Sequence, residues 1–365
     1  MGATRRTFLA TFAASALHGQ TEKGKNFASE WKRYSDPATE FEVVRLTDPA
    51  HSSQLPAHYN RALSRRNGFL LFSSDRSGSI QAFRMDLKSG ECRQLTHSQN
   101  LDAASLTVLP DDNTFCVFDG PTLRQISFAG SRDRQVYRVA DGWTRGPGAS
   151  VTGDGVSAIL PEVRDRTFRL RRVSIVTGVA TTVIETEFPA EHPVARPRRA
   201  QILYRQGDEG LWLVNFDGNQ NRRLKTAPDG AIGPAFWSPN GRTVLYLHIP
   251  VDKTKLIAIR ENTPDENLDK LVSPTSQFAH FGSNGDTSVF VGASRNRNSP
   301  HILILLRMTR RELTLCEHRS SNPSTVTPIF SQDSQRVYFQ SDRDGKPALY
   351  RVRVERFVEE TVSGT

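Results

Sequence analysis

The sequence predicts an all-β fold, a seven-bladed β-propeller spanning residues 36–357. Three observations predict it: a weak repeat, strand-like alternation after each repeat, and no helical periodicity over ten or more residues. Seven times, a turn of small or charged residues precedes a short β-rich run, as in PDDNTFCVF from Pro110 and SPNGRTVLY from Ser238. The turns recur every 41 to 48 residues. This period is typical of four-stranded propeller blades.

Each repeat continues with hairpin signals. In QAFRMDL and LWLVNF, apolar and polar residues alternate with period two, and Asp-Gly or Ser-Gly pairs mark the turns between strands. A propeller closes when strands from both termini share a blade. The segment FEVVRLT at residues 41–47 is therefore expected to complete the blade that begins near Thr325.

The N-terminus predicts export. Residues 1–20 resemble a twin-arginine signal peptide, because Arg5 and Arg6 precede a short, weakly apolar run that cannot span a membrane. Residues 21–35 are predicted to be an extension and residues 358–365 a C-terminal tail. The rest of the chain offers no apolar run long enough for a membrane span. The expected location is periplasmic or secreted.

The net charge indicates which classes of molecule the protein could bind, and the cysteine pattern indicates whether it holds a metal or a disulfide. The net charge of +9 favours polyanions, but lysine and arginine are scattered without a basic helix, so we do not expect nucleic acid binding. Anionic lipid headgroups, acidic polysaccharide, and a solvated basic surface without a dedicated partner stay open. The three cysteines, Cys92, Cys116 and Cys316, match no zinc motif and are predicted to be buried thiols, although one disulfide is compatible with export.

Propeller ligands bind where the loops entering the innermost strands converge on the central channel. Four of the nine histidines fall in these segments: His51, His58, His192 and His280. No sequence-local catalytic motif is present, so the catalytic residues are unassigned.

Five residues of these segments are predicted to bind substrate. Arginine pairs bidentately with carboxylates, and an indole ring offers an apolar platform for a sugar. The predicted set is His51, His58, Arg61, Trp143 and Arg145.

At this point the sequence resembles a known family. The segments FSSDRSGSIQAFRMDLKSGECRQLT (72–96), VYRVADGWTRG (136–146), LWLVNFDGNQNRRLK (211–225) and FQSDRDGKPALY (339–350) are similar to the oligogalacturonate lyases. These are seven-bladed propellers that act on pectin-derived oligomers. The resemblance implies β-elimination at an α-1,4-linked uronic acid. A manganese or other divalent ion neutralises the carboxylate, a histidine removes the C5 proton, and an arginine supports the developing charge.

The resemblance assigns few of these roles to this chain. It places metal ligands at His280 and, in the position of a glutamine, at Asn322. The family's other two metal histidines align with Thr325 and Thr327, and a neutral hydroxyl is a weak manganese ligand. The chain therefore resembles a divergent member that lacks most metal ligands.

The catalytic positions are also replaced. The base aligns with Pro234 and the arginine with Gly210. Three hypotheses stay open: an active oligogalacturonate lyase, a propeller that binds acidic oligosaccharide without catalysis, and a scaffold for a protein partner.

Overall fold

The computed structural model describes residues 23–130, 132–207 and 210–361. Over these ranges the chain forms seven antiparallel sheets, the blades of the predicted propeller. Two short 3-10 helices, Ala103–Ser105 and Pro323–Thr325, lie among the described connections. The predicted signal peptide, residues 1–20, lies outside the described residues.

The strands of the first half are β1 (Asn26–Phe27), β2 (Lys32–Ser35), β3 (Glu42–Arg45), β4 (Ser53–Gln54), β5 (Phe69–Ser74), β6 (Gln81–Asp86), β7 (Cys92–Gln94), β8 (Thr107–Val108), β9 (Thr114–Asp119), β10 (Thr122–Ser127), β11 (Asp133–Arg138), β12 (Thr144–Arg145), β13 (Ser150–Val151), β14 (Ser157–Arg164), β15 (Thr167–Ser174) and β16 (Ala180–Thr186). Blade I comprises β4–β7 with β1 at its outer edge, blade II comprises β8–β11, and blade III comprises β12–β16.

The strands of the second half are β17 (Ala190–Ala195), β18 (Gln201–Gln206), β19 (Leu211–Asn215), β20 (Arg222–Arg223), β21 (Ala231–Trp237), β22 (Val244–Ile249), β23 (Ala258–Thr263), β24 (Leu268–Pro274), β25 (Phe278–Ser283), β26 (Val289–Ser294), β27 (His301–Leu306), β28 (Arg311–Glu317), β29 (Ile329–Phe330), β30 (Arg336–Ser341) and β31 (Ala348–Arg353). Blades IV, V and VI comprise β17–β20, β21–β24 and β25–β28, and blade VII joins β29–β31 to β3 and β2.

Blade VII closes the ring as predicted from FEVVRLT. Strand β3 pairs with β31 in the register Val43 opposite Val352, so both ends of the chain share one sheet. Two strands begin before the predicted boundary at residue 36, because β1 pairs with β7 and β2 pairs with β3. Strands β1 and β2, within residues 26–35, are thus edge strands of blades I and VII. Their pairing satisfies the backbone hydrogen-bonding groups of β7 and β3.

The core lies between neighbouring blades. Six of the seven β-rich runs end in a buried aromatic residue, as at Phe72, Phe118, Tyr246 and Phe339, each no more than 1% exposed, and the run of blade III ends in buried Leu160. Phe339 stacks on Tyr350 with ring centroids 5.3 Å apart. Because a buried aromatic ring removes a large apolar area from water, these residues in six of the seven blades are a main stabilising element of the propeller. All three cysteines are buried and free.

The inner strand of each blade runs from the face where the chain enters the blade, here called the entrance face, to the far face. Several inner strands bulge half-way along the channel: between Glu191 and Val194, between Ile232 and Ala235, and between Phe278 and His280. Bulges re-aim side chains and free backbone carbonyls. The bulges lie at the depth in the channel where side chains and a crossing segment of blade I fill it. Within the described ranges, no helix is long and apolar enough to cross a membrane.

Candidate functional site

The channel is closed by a segment of blade I, residues 55–61 (LPAHYNR), here called the plug. The inner strand of blade I pairs through β4 at one end and through Leu63 opposite Leu70 at the other, and the plug lies between them. Sequence reasoning treated these residues as an entrance loop. The signal for a plug was Pro56, which interrupts the strand pattern because proline has no N–H to donate.

The plug contacts the six other blades. It donates backbone or side-chain N–H groups to blades VII, II and III: Leu55 N to Gln340 Oε1 at 2.8 Å, Ala57 N to Ala104 O at 3.1 Å, and Asn60 Nδ2 to Ala149 O at 3.1 Å. Its His58 and Tyr59 side chains reach blades IV, V and VI. The plug therefore divides the channel into an entrance half and a far half.

A cavity of about 190 Å³ lies on the entrance side, between the plug and blades IV and V. It is lined by both polar and apolar side chains and by the bulge of β21, and its lining residues are His58, Tyr59, His192, Leu203, Tyr204, Arg205, Leu211, Pro234 and Ala235. Pro234, the position aligned with the family's base, thus faces the same cavity as two histidines and an arginine.

His192 lies at the mouth of this cavity, on the bulge of β17. Its φ of 48° is left-handed, a region in which histidine is found more often than most residues. Its N–H donates to Pro147 O at 2.9 Å, and its Nδ1 lies 3.4 Å from Tyr59 Oη. The surrounding protein atoms lower the pKa of His192, against the opposing charge of Glu191 and with a smaller contribution from the charge of Arg205. Although the side chain is exposed, it is therefore neutral at neutral pH and able to accept a proton.

His58 is the central residue of the plug. Its Nε2 lies 3.4 Å from Ala235 O, and its ring meets the ring of His280 edge-on with centroids 4.7 Å apart. Burial lowers the pKa of His58 to about 4, with a smaller contribution from Arg205. His58 is neutral at neutral pH, and its contacts fix the plug against blades V and VI.

Arg205 stands at the end of β18 on the cavity wall. It donates from Nη1 to Ile232 O at 3.0 Å and from Nη2 to Gly233 O at 2.7 Å. These two carbonyls belong to the bulge that ends at Pro234, so the bulge holds the guanidinium beside the aligned base position. In the sequence, Arg205 is marked only as a charged residue directly after the apolar run ILY, and we did not assign Arg205 to a site.

Tyr59 and a neighbouring ion pair complete the entrance side. Burial raises the pKa of Tyr59 to about 12, and the charge of Asp102 contributes. Asp102 in turn pairs with Arg145, whose Nη2 lies 2.5 Å from its Oδ2. The Arg145 guanidinium also lies 4.7 Å from the ring centroid of Phe118. Arg145 thus lies near Tyr59, and its charge is matched by an aspartate of the chain.

The predicted metal residues lie on blades VI and VII. His280 is 5% exposed, burial lowers its pKa well below the usual value, and its Nδ1 has no hydrogen-bond partner. Asn322 is exposed and uses its side-chain oxygen to accept from Ser324 N at 3.2 Å. Thr325 donates to Asn322 O at 2.8 Å.

These residues do not fit a three-histidine manganese site. One orphaned imidazole nitrogen can supply one ligand, but the amide of Asn322 and the hydroxyl of Thr325 are used within their own turn. Among the described residues, no group of three His, Cys, Asp or Glu side chains is close enough to hold a metal ion. The metal role of His280 and Asn322 stays a prediction.

The remaining predicted substrate residues are spread out. His51 is on the entrance face, where its Nδ1 lies 3.8 Å from Asp75 Oδ1. Trp143 is partly buried, and the Arg169 and Arg164 guanidinium groups lie 3.5 and 4.5 Å from its ring centroid. These two arginines occupy space over the ring that a sugar would need, so the structure does not present Trp143 as an open platform.

Arg61 lies on the far side of the plug. It pairs with Asp112 and donates to Leu109 O, and both partners follow the end of inner strand β8. It lines a second cavity of about 370 Å³ that opens towards the far face. The five predicted substrate residues are therefore not all together, because the plug separates Arg61 from Arg145.

Comparisons with known proteins agree with this architecture. The family model for oligogalacturonate lyase matches residues 21–163. The chain is 26% identical to the oligogalacturonide lyase of Pectobacterium atrosepticum and 25% identical to the oligogalacturonate lyase of Dickeya dadantii. Each match covers 91% of this chain and 98% of the relative. The resemblance to the oligogalacturonate lyases is confirmed.

Solved structures show the same fold. An oligogalacturonate lyase in complex with manganese matches with a TM-score of 0.87 at 24% identity, and the enzyme of Vibrio parahaemolyticus matches with 0.85 at 22%. Each match covers 91% of this chain and 98% of the other chain. Manganese is bound by that structural neighbour, whereas the described residues of this chain assemble no comparable ligand group.

Proposed function

We propose that this propeller is a lyase that cleaves oligogalacturonate-type substrates by β-elimination in the entrance-side cavity. One observation carries the proposal: neutral His192 and cationic Arg205 line one cavity with Pro234, the position aligned with the family's base. Similarity to lyases over 91% of the chain supports the same chemistry and substrate class.

His192 is the proposed base. With a proton on Nδ1 it donates to the Tyr59 hydroxyl, 3.4 Å away, and presents Nε2 as a proton acceptor. Nε2 takes the C5 proton, the electron pair forms the C4–C5 double bond, and the C4–oxygen bond breaks. The leaving sugar oxygen takes a proton from water.

The test is an incubation of purified protein with saturated galacturonate trimer, followed by ultraviolet absorbance and mass spectrometry, with and without manganese. Elimination gives an unsaturated product lighter by one water than the product of hydrolysis. Unsaturated product supports the proposal. Saturated products alone, or trimer binding without turnover, contradict it, and the second outcome favours the non-catalytic alternative.

The export of the protein is proposed on the sequence alone. Replacing Arg5 and Arg6 by lysine is expected to leave precursor in the cytoplasm. An unchanged periplasmic or secreted yield contradicts the twin-arginine assignment.

A further inference from the structure

β-Elimination needs a proton donor as well as a base, because the sugar oxygen that leaves C4 becomes negatively charged. Water can protonate this oxygen, and a positioned acidic side chain does so faster. We propose that the hydroxyl of Tyr59, whose oxygen lies 3.4 Å from His192 Nδ1, gives its proton to the leaving oxygen in place of water. The inference rests on the proposed function, which supplies the base and the bond that breaks.

Tyr59 and His192 reach one cavity from two elements of the propeller. Tyr59 belongs to the plug and His192 to the bulge of β17, and both side chains line the entrance-side cavity. The imidazole ring separates the free Nε2 from the Tyr59 oxygen. A sugar in the cavity can therefore meet the two groups at different atoms, the C5 proton at Nε2 and the C4 oxygen at the phenol.

The hydrogen bonds at Tyr59 leave its proton available to a ligand. A phenol carries one O–H donor and an oxygen that also accepts. With a proton on His192 Nδ1, the oxygen accepts from that nitrogen, and the backbone of Ala149 also hydrogen-bonds it. Within the described ranges no side chain or carbonyl takes the O–H itself, so a substrate oxygen is the acceptor open to it.

The backbone of blade III holds the pair from behind. A Cβ on Gly148 would lie 2.9 Å from Tyr59 Oη and 3.0 Å from His192 Nδ1, so this segment packs against both atoms. Asn60, the next residue of the plug, fixes the same segment through its bond to Ala149 O. The hydroxyl is thus fixed in position on one side and open to the cavity on the other, as a proton donor must be.

The electrostatics agree with this role. Burial, with a contribution from the charge of Asp102, raises the pKa of Tyr59 to about 12, and the charge of Arg145 opposes this rise. Tyr59 therefore carries its proton at neutral pH. When His192 Nε2 takes the C5 proton, the positive imidazolium beside Tyr59 favours the phenolate and so favours release of the phenol proton.

The proton balance closes within the pair. The C5 proton goes to His192 Nε2, the Tyr59 proton goes to the leaving oxygen, and the Nδ1 proton of the imidazolium passes to the Tyr59 oxygen. One proton has then moved from C5 to the leaving sugar, and both side chains are neutral again. Proton exchange with solvent returns His192 to its starting tautomer.

The experiment compares two substrates, galacturonate trimer and a trimer whose non-reducing sugar carries fluorine at C4. Fluoride leaves as an anion that needs no proton. Tyr59→Phe is expected to lower kcat/KM at least 100-fold on galacturonate trimer and less than tenfold for fluoride release. His192→Ala is expected to lower both by a similar, large factor, because both reactions need the base.

The matched control is Tyr246→Phe, which removes a tyrosine hydroxyl outside the cavity, where it donates to Asp269 Oδ1 at 2.7 Å. This variant is expected to change neither reaction more than threefold. Equal losses for Tyr59→Phe on the two substrates would show that Tyr59 only supports His192, and they overturn the inference. A loss below tenfold on galacturonate trimer also overturns it, because water then suffices as the donor.

The proposed function is judged separately, by unsaturated product from the wild-type protein and galacturonate trimer. If the wild type forms this product and Tyr59→Phe forms it as fast, the lyase function stands and the inference fails. If the wild type forms none, both fail.

Discussion

The two sides of the channel entrance use histidine differently. On blade VI, His280 is buried with an orphaned Nδ1, next to a turn whose amide and hydroxyl groups are used locally. On blade IV, His192 is exposed at a cavity mouth beside Arg205 and Tyr59. Because all inner strands of a propeller converge on one channel, residues on neighbouring blades can take over a role lost on another. Under the proposed function, the chemistry of this chain lies on the His192 side rather than on the His280 side, here called the metal side.

Restoring the metal side should have a large effect on the affinity for manganese. The double variant Thr325→His, Thr327→His gives His280 two histidine neighbours and should bind manganese roughly 100-fold more tightly than the wild type. Thr327 has a φ of 38°, which is unusual for a β-branched residue and more favourable for histidine, so the backbone already suits the change.

Manganese affinity is measured by calorimetry and by the shift in Tm that a ligand of the native state produces. The control adds His280→Ala to the double variant and should remove the gain. A tight, stoichiometric manganese site in the wild-type protein would contradict the account of the metal side.

A similarly large effect, on catalysis, is expected from crowding His192. A Cβ on Gly148 would lie 2.7 Å from His192 Cα and 2.9 Å from Tyr59 Oη. Gly148→Ala should therefore displace the base and lower kcat/KM by roughly 100-fold, as expected for a displacement of about 1 Å.

Gly78→Ala is the matched control for this variant. Gly78 has a φ of 97°, and no atom within 4 Å would meet its Cβ, so it carries backbone strain without crowding. If both variants lower kcat/KM equally, backbone strain explains the loss. The prediction that crowding of His192 lowers catalysis is then contradicted.

The smallest expected effect is the change of kcat/KM with pH. The pKa of His192 is lowered from 6.5, so the base stays neutral as pH falls to 6.5 and becomes protonated only at more acidic pH. We expect kcat/KM to change by less than about twofold between pH 7.5 and pH 6.5 and to fall below that range. The measurement is the kcat/KM profile of the wild type. A loss that begins well above pH 6.5 would show that His192 is not the titrating base.

The architecture could be predicted from the sequence because each blade repeats the same local physics. A turn and an alternating strand recur in every unit, a buried aromatic such as Phe118 recurs in six of the seven, and FEVVRLT has the pattern of the strand that closes the ring. Because the pattern is repeated seven times, a strand that is unclear in one repeat does not change the prediction of a seven-bladed propeller.

The site could be predicted only in part because it depends on the bulges. The sequence placed His58 and His192 in segments that enter the channel, but period-two alternation cannot show that residues 55–61 cross it. The plug places Arg61 on the far side, and the bulge of β21 brings Arg205 to Pro234. The position of Arg61 and the proximity of Arg205 to Pro234 are both decided by contacts between residues that are distant in the chain.

The most direct measurement compares His192→Ala with His280→Ala in the elimination assay, using initial rates of unsaturated product formation. His97→Ala, an exposed histidine outside the channel, serves as the control. The account predicts a loss of roughly 1,000-fold for His192→Ala, within the range for a general base, and less than tenfold for His280→Ala. A large loss for His280→Ala with His192→Ala unchanged would place the chemistry on the metal side and contradict the account.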